Sequence, residues 1–135
     1  MNETVVLDTN AYSHLFRGDE AVLDVISRAK RVLLPVTVLG ELFAGFRIGN
    51  REGRNRRDLE DFLSRPSVRV LTTTPEVADL YGVIVSDLRA AGDKIPTNDL
   101  WIAAHTLSVG GVLVTYDRHF EKVPGLRRWP GPGDT

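Results

Sequence analysis

The chain has 135 residues, a net charge of −1, 42% hydrophobic and 26% charged residues, and no cysteine. That length supports one domain with one core, and the near-neutral charge excludes a global positive field for a polyanion. The missing cysteines exclude disulfides, thiolate metal sites and thiol nucleophiles. Residues 1–10 lack the basic and long apolar segments of a secretory leader, so the expected location is cytoplasmic.

Short β-branched runs alternate with helical patterns. Residues 4–7 predict a buried strand ending at Asp8. Residues 10–17 predict a short helix stopped by Gly18, and Asp19 is placed to cap a second helix over 20–30. A strand over 32–35 follows, and Thr37 is expected to cap a helix reaching Ile48, where Gly49 stops it. Residues 51–64 form a charged helical pattern with Leu59, Phe62 and Leu63 as its apolar side. The third strand is expected at 68–71. Thr74-Pro75-Glu76 then opens a long helix with proline at its first position, ended by Gly92. Thr97 or Asn98 is expected to cap the next helix, which runs to Gly110-Gly111. Residues 112–116 predict the fourth strand and 126–129 a short fifth. The Pro/Gly-rich tail is expected to be loose, with the domain over 1–130 and a flexible end over 131–135.

Strands alternating with helices imply right-handed βαβ units. The expected fold is a single-domain three-layer α/β/α sandwich with a central, mostly parallel sheet of four to five strands. No apolar stretch approaches the roughly 18 residues needed to span a bilayer.

Two acids stand immediately beyond apolar strands, Asp8 and Asp117, where the carboxyl ends of parallel strands line a ligand crevice. An Asp in that position is also a common turn former or helix cap. In the third predicted helix Val38, Leu39, Leu42, Phe43 and Phe46 cover an arc of about 140°, and Glu41 lies about 60° outside it, at the boundary of core and solvent. Asp99 falls in the first turn of its helix, a place that favours acids through the macrodipole and keeps them ionised. Converging carboxylates repel one another, and a hard divalent cation is the economical explanation for such a set. His14, His105 and His119 are scattered and are read as surface or boundary residues.

Taken together, Asp8-Thr9-Asn10, Glu41, Thr97-Asn98-Asp99-Leu100-Trp101 and Val114-Thr115-Tyr116-Asp117-Arg118-His119 resemble the PIN-domain nucleases, in particular the VapC-type toxins of bacterial toxin–antitoxin pairs. The resemblance runs from Val5 to about Trp129 in order and spacing. It implies a PIN-like fold and hydrolysis of RNA phosphodiester bonds. Asp8, Glu41, Asp99 and Asp117 would be both the catalytic acids and the ligands of one or two Mg²⁺ or Mn²⁺ ions, with Asn10 and Thr115 supporting the site. The resemblance also implies inhibition by a cognate antitoxin and a homodimer. Tyr116 departs from the asparagine common before the last acid, a change expected at the rim of the site. Arg47, Arg51, Arg54, Arg56 and Arg57 form a basic run interrupted by Glu52. Such residues could position RNA through its phosphates, or pair with Asp58, Glu60 and Asp61 along a solvated helix. Arg118 and Arg17, near the acidic motifs, are further RNA-binding candidates. An alternative is a PIN fold that binds RNA or protein without cutting, although a binding module has no use for four mutually repelling acids. A phosphoacceptor role for Asp8 fits poorly, because Asn10 stands where such phosphatases carry a second Asp.

Overall fold

A computed structural model describes residues 3–131. Five parallel strands form one sheet: β1 (Thr4–Leu7), β2 (Arg31–Pro35), β3 (Val68–Leu71), β4 (Val112–Val114) and β5 (Arg127–Trp129). Their order is β3-β2-β1-β4-β5. Six α-helices connect them: α1 (Thr9–Phe16), α2 (Glu20–Arg28), α3 (Val36–Ile48), α4 (Glu52–Leu63), α5 (Pro75–Ala90) and α6 (Thr97–Ser108). Right-handed crossovers put α1 to α4 on one face of the sheet and α5 and α6 on the other. The three-layer sandwich therefore stands as expected, and every strand pair is parallel.

β1 is central, and Val5, Val6 and Leu7 are wholly buried between β2 and β4. This is why it reads as an unbroken apolar run: helices cover both faces of a parallel sheet. Because β2 and β4 leave β1 in opposite directions, the switch point of the sheet lies between β1 and β4. At the other end of β4, Gly110 takes φ +61°, and a Cβ on Gly111 would meet the Thr4 carbonyl oxygen at 3.2 Å. The glycine pair thus ends α6 and lets β4 close onto β1.

Several boundaries differ from expectation. The cap expected at Thr37 is absent: Pro35, in an extended conformation, leads into α3, which starts at Val36 with no side-chain cap. Pro96 does the same for α6, so neither Thr97 nor Asn98 is its cap. β4 ends at Val114, two residues early; beyond it the Thr115 hydroxyl donates to Asp8, past the end of β1, and accepts the Asp117 N–H of its own segment. A 3-10 turn over Arg118–Lys122, unforeseen in the sequence, follows. His105 is fully buried rather than at a boundary: Nδ1 meets the Trp101 carbonyl at 2.8 Å and Nε2 the Thr73 hydroxyl at 3.1 Å. Burial holds its pKa below the usual imidazole value. The loose tail foreseen at 131–135 lies, from 132 onward, outside the described residues.

Candidate active site

β1 delivers Asp8 to the switch point, where it caps α1 and is 4% exposed. Its Oδ1 accepts from the Ala11 N–H at 2.7 Å, and its Oδ2 accepts from the Thr115 hydroxyl. Thr115 Oγ1 in turn accepts the Asp117 N–H at 2.9 Å. One hydroxyl therefore ties the acid beyond β1 to the acid beyond β4. Burial pushes the Asp8 carboxyl from 3.8 up to about 6; the Thr115 and Ala11 bonds oppose the shift, and Asp99 and Asp117 add to it through repulsion.

Pro96 sets Asp99 in the first turn of α6, across from Asp117. Burial raises the Asp99 pKa, His119 opposes that through a hydrogen bond, and Asp117 and Glu41 raise it further. His119 Nδ1 lies 3.1 Å from both Asp99 Oδ2 and Asp117 Oδ1. With a proton on Nδ1, this nitrogen stands between two carboxylates that would otherwise repel each other. The Asp117 Oδ1 also accepts the His119 backbone N–H at 2.9 Å, starting the 3-10 turn. Glu41 sits at the boundary position its helical angle predicts, with Oε1 accepting from Thr9 at 2.6 Å and Oε2 from Asn98 at 3.3 Å.

All four expected acids thus meet at one end of the sheet. Ligand atoms of Asp99, Asp117 and His119 lie within 4.8 Å of one another. Asp8 and Glu41 lie outside that trio, yet Asp8 is close enough to Asp99 and Asp117, and Glu41 to Asp99, for repulsion to act between them. An oxygen-rich donor set with like charges pressed together fits a hard divalent cation.

The family model described as "PIN domain" matches residues 5–126. The chain belongs to the PIN-domain family. The PIN domain is 34% identical to Ribonuclease VapC2 of Haemophilus influenzae, over 90% of this chain and 93% of the relative. Its fold matches the VapBC-1 structure from nontypeable Haemophilus influenzae with TM-score 0.82 and 26% identity, over 93% of this chain and 96% of that one. DNA-bound VapBC from Salmonella typhimurium matches with TM-score 0.80 and 28% identity over the same shares.

Within this PIN domain the other expected residues divide. Thr115 links two acids, while Asn10 is exposed and makes no side-chain hydrogen bond among the described residues. Arg51 and Arg54 border a cleft of about 320 Å³ with Arg17, which follows the last residue of α1. Arg47 and Arg56 lie on Glu52, at 4.0 and 3.2 Å, and Arg56 covers the Phe43 ring at 4.6 Å. Arg118 pairs with Glu121 at 3.3 Å. Among the described residues Arg51, Arg54 and Arg57 enter no ion pair, so the alternative of pairing with Asp58, Glu60 and Asp61 is not seen; the acid that pairs on α4 is Glu52. Sequence reasoning passed over Thr9, Asn98 and His119 as contacts of the acids. Each is a polar neighbour within two residues of an acid, which was the available signal.

Proposed function

We propose that this PIN domain is a metal-dependent endoribonuclease, acting as the toxin of a toxin–antitoxin pair. The observation that carries the reading is the convergence of Asp8, Glu41, Asp99 and Asp117 at the switch point of a PIN fold whose relatives are named VapC ribonucleases. These four residues would hold Mg²⁺ or Mn²⁺, one or two ions. When bound, the ion supplies positive charge to the scissile phosphate and acidifies nearby water.

The protein's own groups set the geometry for that chemistry. Thr115 fixes the Asp8 carboxylate against the Asp117 backbone. Thr9 and Asn98 occupy one oxygen each of Glu41 and hold it toward Asp99. His119 draws Asp99 and Asp117 together through one nitrogen. Arg51, Arg54 and Arg57, free of ion pairs among the described residues, would contact phosphates and position RNA without reading its sequence. Arg47 and Arg118 are weaker candidates, since each already faces a glutamate.

The solved neighbours are VapBC complexes, which supports an antitoxin partner for this chain. A homodimer and a cytoplasmic location complete the proposal; no helix among the described residues is long and apolar enough to cross a membrane. The test is RNA cleavage by the purified protein in chelator and after restoring Mg²⁺ or Mn²⁺. Cleavage is expected only with metal, and unchanged cleavage in chelator would refute the mechanism. A non-cutting binding module would bind RNA under both conditions and cleave under neither.

A further inference from the structure

We infer that Tyr116 is a stacking platform for an unpaired base of the RNA, an inference that rests on the ribonuclease reading above and adds a substrate feature to it. Tyr116 stands between Thr115 and Asp117, with Cα atoms about 3.8 Å from each across ordinary peptide bonds. A polynucleotide held at Asp117 would therefore lie within one residue's reach of Tyr116. Unlike Thr115, which is buried, Tyr116 is 41% exposed.

The exposed ring is also held in place. Its hydroxyl donates to Asp19 Oδ2 at 2.8 Å, and the same oxygen lies 3.5 Å from His14 Nδ1. The His14 ring meets Tyr116 edge-on at 4.8 Å and 71°, and Trp129 lies tilted at 6.0 Å. Asp19 is itself fixed, its other oxygen accepting from Val22 N–H at the start of α2. The Asp19 charge is therefore taken up by a helix N-terminus and a phenol rather than facing the RNA. A ring ordered before binding loses little freedom when a base settles on it.

The occupant that suits such a surface is a nucleobase. Every base has a flat π-face, so stacking tolerates sequence and needs no hydrogen-bond pattern from the protein. Bases inside a duplex are already stacked on both sides, so the platform selects single-stranded or looped RNA.

The experiment compares wild type with Tyr116→Leu, Tyr116→Phe and Tyr116→Trp. Binding of fluorescein-labelled single-stranded RNA octamers, and of a duplex of the same sequence, is read by anisotropy in chelator. Cleavage is read separately with Mg²⁺ or Mn²⁺. Tyr116→Leu is expected to weaken single-strand binding about 5- to 150-fold and to leave duplex binding unchanged. Tyr116→Phe and Tyr116→Trp should stay near wild type, with the new indole quenched when the octamer binds. Retained affinity in these two variants separates stacking from loss of fold. Single-strand affinity of Tyr116→Leu within twofold of wild type, or an equal loss on duplex, overturns the inference. Wild type that cleaves RNA while Tyr116→Leu binds normally overturns the platform alone; wild type that cleaves nothing removes the ribonuclease reading and the platform with it.

Discussion

Replacing Asp8 by Asn should make the metal-free protein more stable at neutral pH and less stable in acid. The carboxyl is buried, and its pKa rises from 3.8 to about 6 on folding, which corresponds to about 3 kcal/mol. A raised native pKa means that the native state holds this proton more tightly than the unfolded chain does. The associated stability is fully present below 3.8 and is lost as pH passes through about 6. At pH 7 the wild type has lost all of it, whereas Asn never ionises. The amide oxygen can still accept from the Ala11 N–H, but the Thr115 hydroxyl loses its carboxylate acceptor, at a cost of about 1 kcal/mol. The net gain at pH 7 in chelator is about 2 kcal/mol, or about 8 °C in Tm for a chain of this size. Near pH 4 the wild type recovers its proton and the variant should melt about 4 °C lower. Excess Mg²⁺ or Mn²⁺ at pH 7 then stabilises wild type by about 2.7 kcal/mol at one hundred times Kd, and the variant by less. The assay is thermal unfolding of both proteins from pH 4 to 7.5, with chelator and with metal. A gap that ignores pH would refute the burial argument, and equal metal-induced rises would remove Asp8 from the cation site.

Two further outcomes follow from the same geometry. Thr115→Val keeps the shape but removes a donor to Asp8 and an acceptor for the Asp117 N–H; a drop of about 1–3 kcal/mol in denaturant unfolding is expected, with cleavage reduced more than RNA binding, and unaltered cleavage would show the link to be dispensable. Alanine at Arg51, Arg54 and Arg57 together should flatten the dependence of log affinity on log salt by about 0.7 for each single-strand phosphate that an arginine no longer neutralises, whereas a wild-type slope would reduce the run to a solvated helix face.

What could be read from the chain follows physical lines. β1 was legible because burial on both faces demands a continuous apolar run, and the Asp19 and Thr74 caps because each uses its own side chain on a backbone N–H three residues ahead. Thr37 and Thr97 misled because prolines preceding them supply the helix entry by conformation alone. The acids were visible by position, and Asp8 both caps α1 and faces the other acids. Of their supports, Thr115 was implied by the resemblance alone, and the partners of each were hidden by distance. Thr9 reaches Glu41 across 32 residues, Asn98 reaches it across 57, and Thr115 reaches Asp8 across 107. No local pattern encodes such partners. His119 was lost with its turn, since a 3-10 segment has no apolar periodicity to announce it.

The order of the strands also fixes when chemistry can begin during synthesis. β1 emerges first, yet it occupies the middle of the sheet and waits for β4 to form one of its sides. Asp8, Thr9 and Glu41 exist in the growing polypeptide while Asp99 and Asp117 are still untranslated. Even then Thr115 must offer its amide to the carbonyl of Trp129, at 2.9 Å, before the last acid is braced. A fragment that stops short of β4 and β5 therefore lacks Asp117 and one flank of β1, and the four acids come together only with the final strands.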